Sequence, residues 1–121
     1  MRWPDVEALV VAHLSTALNV RVTTKLPGNF TMPIVRVTRG PGSDDGISDF
    51  SLCDVEVFAA TTGAMWTLAE DAREAMHALH NTGLIDTVDT ATSPTRVSYE
   101  QPGVERAVAS YRLTARKRAL V

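Results

Sequence analysis

The sequence has few of the residues that mark several functional classes. Its single cysteine, Cys53, has no partner for an internal disulfide, and aromatic residues make up only 6% of the 121 positions. So few aromatics argue against a stacking platform for single-stranded nucleic acid. No apolar run approaches the ~20 residues of a membrane-spanning helix, so we expect no membrane partner. Asp5 and Glu7 stand where a secretory leader is basic, and we expect synthesis in a reducing cytoplasm.

Neither sign of charge dominates. There are 12 basic and 14 acidic side chains, which gives a net charge of −2. This balance removes the strong electrostatic attraction expected of a general nucleic-acid coat protein. Hydrophobic residues still make up 45% of the chain, which is enough for a core, and the length predicts a single domain over 1–121.

Hydrophobic periodicity predicts two helices and five strands. Apolar residues recur at helical spacing over 4–18, with Pro4 in the first turn, and from Thr61 to Asn81, with a stop at Gly83. Alternation with period two predicts strands over 19–24, 33–39, 49–60, 96–100 and 105–116. The order α-β-β-β-α-β-β favours an α+β fold, a mostly antiparallel sheet of about five strands with both helices packed on one face.

Two of these strands show a clear division between their faces. In 49–60 the odd-numbered residues from Cys53 onward point one way, while Asp54 and Glu56 point the other way with Phe50, Leu52 and Phe58. Because both faces of this strand carry apolar residues, we expect a helix to cover one side and a neighbouring segment to cover part of the other. In 105–116 the odd-numbered residues from Ala107 to Ala115 are apolar and alternate with polar and charged residues.

The segment 40–48 combines glycines, a proline and acids, and it is predicted to be a flexible acidic loop at a hairpin tip. Its glycines are spaced like those of a phosphate-binding loop, but the Gly-Lys-Ser/Thr ending is missing and Asp44 and Asp45 would repel phosphate. Together with Asp49 they also lack the spacing of a calcium-binding loop. We therefore predict neither a cofactor nor a metal here.

The remaining candidates for chemistry are isolated in the sequence. His77 and His80 share a helix face, but no further ligands of suitable spacing complete a zinc site, and ordinary surface histidines are the simpler interpretation. Cys53, mid-strand among apolar residues, is predicted to be a small core residue rather than a nucleophile. Since no paired carboxylates, serine triad or cofactor fingerprint is present, we predict no catalytic residue, no metal site and no cofactor.

The most uneven charge lies at the C-terminus. Residues 106–121 contain five of the 12 basic side chains and no acid. Two interpretations are open: an edge strand kept from aggregating by charge, with a basic tail over 116–121, or a surface that docks on an acidic partner. The residues of that surface, called here the docking arginines, are Arg106, Arg112, Arg116 and Arg118.

Several segments together resemble a known family. They are the amphipathic helix after Pro4, the strand pair that follows it, Asp54-Val55-Glu56-Val57-Phe58-Ala59-Ala60 running into a helix with Leu68-Ala69-Glu70, and Ala109-Ser110-Tyr111-Arg112-Leu113-Thr114-Ala115-Arg116. In element order, size and strand pattern the chain resembles the tail terminator proteins of long-tailed bacteriophages, a group of minor tail or head-to-tail connector proteins.

This resemblance implies a non-enzymatic virion protein of the tail or neck, made in the host cytoplasm. It implies a homohexameric ring that seats on the last ring of tail tube protein, ends tube polymerisation and offers its other face to the head-tail connector or stopper protein. DNA would pass through the lumen without specific binding.

The resemblance also implies roles for the candidate residues. The docking arginines would contact an adjacent subunit or ring, and the loop with Asp44, Asp45 and Asp49 would face a neighbouring ring or the lumen. Two alternatives remain open: another neck component, such as a head-tail stopper or tail completion protein, and a small nucleic-acid-binding module that uses the basic C-terminus.

Overall fold

The computed structural model describes residues 5–83 and 85–116, and the fold is α+β with its elements in the predicted order. The helices are α1 (Val6–Leu18), α2 (Thr62–His77) and a 3-10 helix over Ala78–Thr82. The strands are β1 (Arg21–Thr23), β2 (Ile34–Asp44), β3 (Ser48–Ala59), β4 (Thr87–Arg96) and β5 (Glu105–Arg116). Pro4, predicted in the first helical turn, lies outside the described residues.

The strands form a sheet in the order β1-β2-β3-β5-β4. Only the short β1 runs parallel to its neighbour, and the other adjacent pairs are antiparallel. β3 is central and pairs with β5 along its whole length, from Ser48 opposite Arg116 to Ala59 opposite Glu105. The predicted, mostly antiparallel sheet is therefore confirmed.

Side-chain and backbone caps explain where the helices begin and end. The Asp5 carboxylate and the Thr61 hydroxyl each accept a hydrogen bond from the N–H three residues on, both at 3.1 Å. Asn19, with φ 53°, and Gly83, with φ 75°, supply the left-handed ends of α1 and the 3-10 helix. The predicted stop at Gly83 is confirmed, although the last turn of the second helix tightens to 3-10 after His77.

Both helices cover the same face of the sheet, and the main core lies between the two layers. α1 contributes Val6, Val10 and Leu14. The sheet contributes the predicted apolar faces of β3 and β5, which are Cys53, Val55, Val57, Ala59, Ala107, Ala109, Tyr111, Leu113 and Ala115. A hydrogen bond of 2.7 Å between His13 Nε2 and the Ala75 carbonyl oxygen joins α1 to α2, so His13 is a structural residue rather than an ordinary surface histidine.

A smaller apolar cluster covers one end of the opposite, helix-free face. Phe58 is fully buried there beside Ile34. The rings of Phe30 and Tyr99, from the loops after β1 and β4, meet the Phe58 ring edge to face at 5.5 and 5.4 Å. Among the described residues these loops cover only that end, and no other loop packs on the rest of the helix-free face.

Most of the segment expected to be a loop over 40–48 is in fact strand. β2 continues to Asp44 and β3 begins at Ser48, which leaves a turn of three residues. The register shifts between Arg39 and Gly42, which is a β-bulge. Because a bulge accommodates an extra residue without ending the ladder, a glycine- and proline-rich stretch can remain in the sheet.

The fourth strand also departs from its predicted position, which was 96–100. β4 ends at Arg96, and the following residues to 104 form a loop. Pro94 had suggested a connection, but β4 is an outer strand of the sheet, where a missing N–H is tolerated. Its pairing with β5 is also irregular between Thr92 and Thr95, on either side of the proline.

Replacing Tyr111 with phenylalanine is expected to raise the free energy of unfolding at pH 7 by about 1 kcal/mol. Tyr111 is fully buried, and its hydroxyl has no hydrogen-bond partner among the described residues. The variant keeps the ring and removes a polar group that loses its water on folding. Urea denaturation at pH 7 measures the change, and a clear loss of stability would mean that the hydroxyl has a partner.

The same substitution should alter the alkaline stability of the protein. Burial raises the pKa of Tyr111 to about 12, so the folded state keeps this proton at pH values where the unfolded chain releases it. The contribution to stability is complete below about pH 10 and declines as the pH rises towards 12. We expect Tyr111→Phe to lose this part of the alkaline decline and Tyr99→Phe to keep it, while the raised pKa of the Cys53 thiol contributes a further decline to both variants.

Candidate functional site

The docking arginines that the structure describes lie along the helix-free face of β5. Arg106, Arg112 and Arg116 follow the even-numbered alternation, so they share one face of the strand, as predicted. Six and four residues separate them, which corresponds to ~20 and ~13 Å along a strand. Arg118 and the rest of the predicted basic tail beyond Arg116 lie outside the described residues.

Arg106 belongs to an internal charge network. The Glu56 carboxylate lies between Arg36, whose Nε is 2.8 Å from Oε1, and Arg106, whose Nη1 is 3.3 Å from Oε2. Arg106 also donates to the Ser98 carbonyl at 2.9 Å and lies 5.2 Å from the ring centre of Tyr99. Its charge is therefore largely compensated within the chain.

Arg112 and Arg116 differ from each other in their partners. Arg116 donates from Nε to Asp86 at 2.7 Å. Arg112 is exposed, and its guanidinium makes no hydrogen bond or ion pair with the described part of the chain. Asp89 lies opposite Arg112 in the β4–β5 register without forming an ion pair, so Arg112 is the described docking arginine whose charge is least engaged within the chain.

Asp44 and Asp45 shape the turn between β2 and β3. Asp44 accepts a hydrogen bond from the N–H two residues on at 3.0 Å. Asp45 accepts from the N–H groups of Ser48 at 2.7 Å and Ile47 at 2.9 Å. These bonds, that from Ser48 foremost, lower the pKa of Asp45 below its ordinary value. The tip is therefore negatively charged at neutral pH.

Asp49, the third acid predicted for the loop, lies inside the hairpin instead. It is 8% exposed, and its Oδ2 is 2.7 Å from Nη2 of Arg39. The backbone N–H of Arg39 in turn donates to the Glu7 carboxylate on α1 at 3.1 Å. Asp49 therefore helps to hold the hairpin against α1 and does not form part of the acidic tip.

The described residues offer contact surfaces rather than reactive groups. Cys53 is fully buried, and burial, followed by the nearby charge of Asp54, raises the pKa of its thiol to about 12. This confirms Cys53 as a core residue, since a nucleophilic cysteine needs the opposite shift. Within 5–83 and 85–116, no group of three or more His, Cys, Asp or Glu side chains could hold a metal ion. In the same ranges neither α-helix is long and apolar enough to cross a membrane.

Two apolar features were not anticipated from the sequence. Ile47, at the tip of the β2–β3 hairpin, is 69% exposed. At the other end of the sheet lies an open groove of about 430 Å³. Its apolar lining, called here the end groove, includes Leu18, Val20, Met32, Ala60, Ala64 and Leu68. An isolated β-branched residue in a polar turn was a visible signal for Ile47, whereas the groove is assembled from three separate parts of the chain.

Comparison with known proteins identifies the family. A family model described as "Phage tail termination protein" matches residues 2–112. A chain from the structure titled "Virion of native gene transfer agent (GTA) particle" has a similar fold, with a TM-score of 0.55 and 13% identity over 93% of this chain and 95% of that one. No curated protein matches the chain. The protein is a structural, non-enzymatic component of the phage virion tail, and it belongs to the phage tail termination protein family.

Proposed function

We propose that the protein forms a closed homohexameric ring that caps the tail tube, ends its polymerisation and joins it to the head connector. The observation that carries this proposal is the family match over residues 2–112. A contact between two different patches of identical subunits either closes into a ring or extends as a filament. A closed ring on the last layer of tube protein ends growth because its outer face differs from that of the tube.

The partners in this proposal are further copies of the chain, the tail tube protein and the head-tail connector or stopper protein. DNA would pass through the lumen without specific binding, which agrees with the net charge of −2. A similar fold in a gene transfer agent virion is consistent with a place in a virus-like particle.

Arg112 is the docking arginine that we propose makes the charged contact with an adjacent subunit or ring. Its side chain is exposed and unpaired among the described residues, whereas Arg106 and Arg116 have acidic partners. A charge at the rim of an interface speeds association and excludes wrong partners more than it adds affinity. Arg116, and Arg118 beyond the described residues, would complete the same surface.

Arg112→Glu is expected to weaken assembly onto purified tail tubes by roughly tenfold, with little effect on folding. Adding Arg116→Glu should abolish assembly. Arg73→Glu, which reverses a charge on α2 at the opposite side of the sheet, serves as the matched control and should assemble normally. Co-sedimentation with tubes measures the difference. Equal assembly of the Arg112 and Arg73 variants would remove Arg112 from the interface.

For the acidic tip we favour a contact between subunits or rings over a position facing the lumen. In the lumen Asp44 and Asp45 would repel passing DNA, whereas in a contact between copies they would face protein. Ile47 beside them is 69% exposed, so the tip offers a protein partner an apolar side chain as well as two carboxylates. Asp49 has no part in this proposal because its carboxylate is paired with Arg39.

Deletion of the gene from a phage that encodes it tests the proposal directly. Negative-stain electron microscopy should show overlong, headless tubes, because growth then lacks its cap. Tails of normal length beside unjoined or leaking heads would instead assign the protein to a stopper or completion role. Intact, infectious particles would contradict a structural role in the tail.

A further inference from the structure

We propose that Ile47 of one copy inserts into the end groove of a second copy, forming the head-to-tail contact of the ring. The inference rests on the proposed function and deepens it by naming the two surfaces that meet. It also identifies the partner of both features as another molecule of the same chain.

The inserting side chain is held in a defined position. Ile47 is the most exposed of the large apolar side chains in the described residues, at 69%. The Asp45 carboxylate binds its N–H at 2.9 Å and the next N–H at 2.7 Å, so the turn is ordered before any partner arrives. A preorganised contact loses less conformational entropy on binding than a flexible one.

The end groove is suited to receive such a side chain. It lies where α1 ends, where α2 begins and beside the start of β2, and it is open to solvent. Leu18 and Val20 line one part, Met32 another, and Ala60 and Leu68 a third. Its volume of about 430 Å³ compares with ~30 Å³ for one water in the liquid, which leaves room for an isoleucine and part of its turn.

The two surfaces lie at opposite ends of the molecule. The end groove is lined by Pro33, immediately before β2, whereas β2 reaches the hairpin tip at Asp44. Eleven strand residues separate them, which corresponds to about 35 Å. Ile47 therefore cannot reach the groove of its own chain, and two copies joined through these surfaces share a heterologous contact.

The charges at the hairpin tip and at the end groove also favour a contact between these two surfaces. Asp44 and Asp45 flank the tip, and Ala64 places the N-terminal turn of α2 at the groove. That turn contains no acidic side chain, so the partial positive charge of the helix N-terminus is not compensated by its own residues. Asp71, the acidic residue in the groove lining, also borders the crevice between α1 and α2 and lies about two turns further along α2 than Ala64. The tip would therefore approach from the start of α2.

Cross-linking between two variants that each carry one introduced cysteine tests the contact. Ile47→Cys and Ala64→Cys are purified separately, mixed, and treated with a short bismaleimide, both in solution and on purified tail tubes. Native Cys53 is fully buried and should not react. We expect a covalent dimer only in the mixture. Ile47→Cys mixed with Ala12→Cys, which lies at a different crevice on α1, is the control and should stay monomeric.

Self-association provides a second readout. Ile47→Asp should weaken it roughly 10- to 100-fold, while Ile47→Val should retain most of it. Circular dichroism verifies that both variants fold. No cross-link in solution or on tubes, or a cross-link to the tube protein alone, would overturn the contact. Capping of tubes without the cross-link would leave the proposed function intact, whereas a cross-linked ring that does not cap tubes would refute the function and retain the contact.

Discussion

Gly42→Ala is expected to lower the free energy of unfolding by ~3 kcal/mol or more, because the substitution forces atoms together at the β2–β3 bulge. A Cβ atom at this position would lie 2.0 Å from the Phe50 carbonyl oxygen and 2.9 Å from the Ser51 Cα. Both are backbone atoms of β3, so the overlap cannot be relieved by turning a side chain. The strands must separate, or the bulge must move and shift the register of the tip.

Gly63→Ala is the matched control for this prediction. Gly63 lies in the first turn of α2, and a Cβ there meets nothing within 4 Å. The change should raise the free energy of unfolding by ~0.5 kcal/mol, since alanine favours the helix. Urea denaturation compares the two variants. If Gly42→Ala is as stable as the wild type, the strands do not approach each other this closely in solution.

The same bulge explains why the hairpin could not be predicted from the sequence. Glycine and proline between Arg39 and Asp44 have the composition of a loop, and composition was the available signal. Whether such residues leave the sheet depends on the strand opposite, and here Gly42 pairs with Ser51 at a close approach that only glycine permits. The pairing is a long-range property, whereas the turn signal is local.

Strongly periodic elements were predictable for the opposite reason. In β5 each odd-numbered residue from Ala107 to Ala115 is buried. The alternation of apolar and polar residues with period two therefore shows which face lies under the helices. β4 has no comparable alternation. It is an outer strand in which every residue is exposed or half-buried, so no apolar face marks it, and Asp89 and Pro94 offset the strand preference of its threonines.

The candidate site was predictable in part. Alternation placed Arg106 and Arg112 on one face of β5, but it could not distinguish their roles. Arg106 is engaged by Glu56, which is 50 positions earlier in the chain, and Arg112 is not. That difference depends on the register of β3 against β5, which follows from the whole sheet rather than from either strand.

Glu56→Gln is expected to lower the free energy of unfolding by ~2 kcal/mol, because a neutral amide leaves two half-buried arginines without a counter-charge. The Glu56 side chain is 12% exposed, against 30% for Arg36 and 20% for Arg106. Burial at this level is incomplete, so the loss should be smaller than for a fully desolvated pair. Urea denaturation of the two proteins in low salt measures it.

Glu70→Gln is the control, because Glu70 pairs with Arg73 on the surface of α2 at 3.8 Å with 59% of its side chain exposed. Its loss should stay below ~0.5 kcal/mol. Glu56→Gln also leaves the charge of Arg106 uncompensated on the same face as Arg112. If the helix-free face docks on an acidic partner, this variant should bind tail tubes at least as well as the wild type despite its lower stability. Weaker binding by a folded Glu56→Gln protein would mean that the fixed position of Arg106, rather than its charge, matters at the interface.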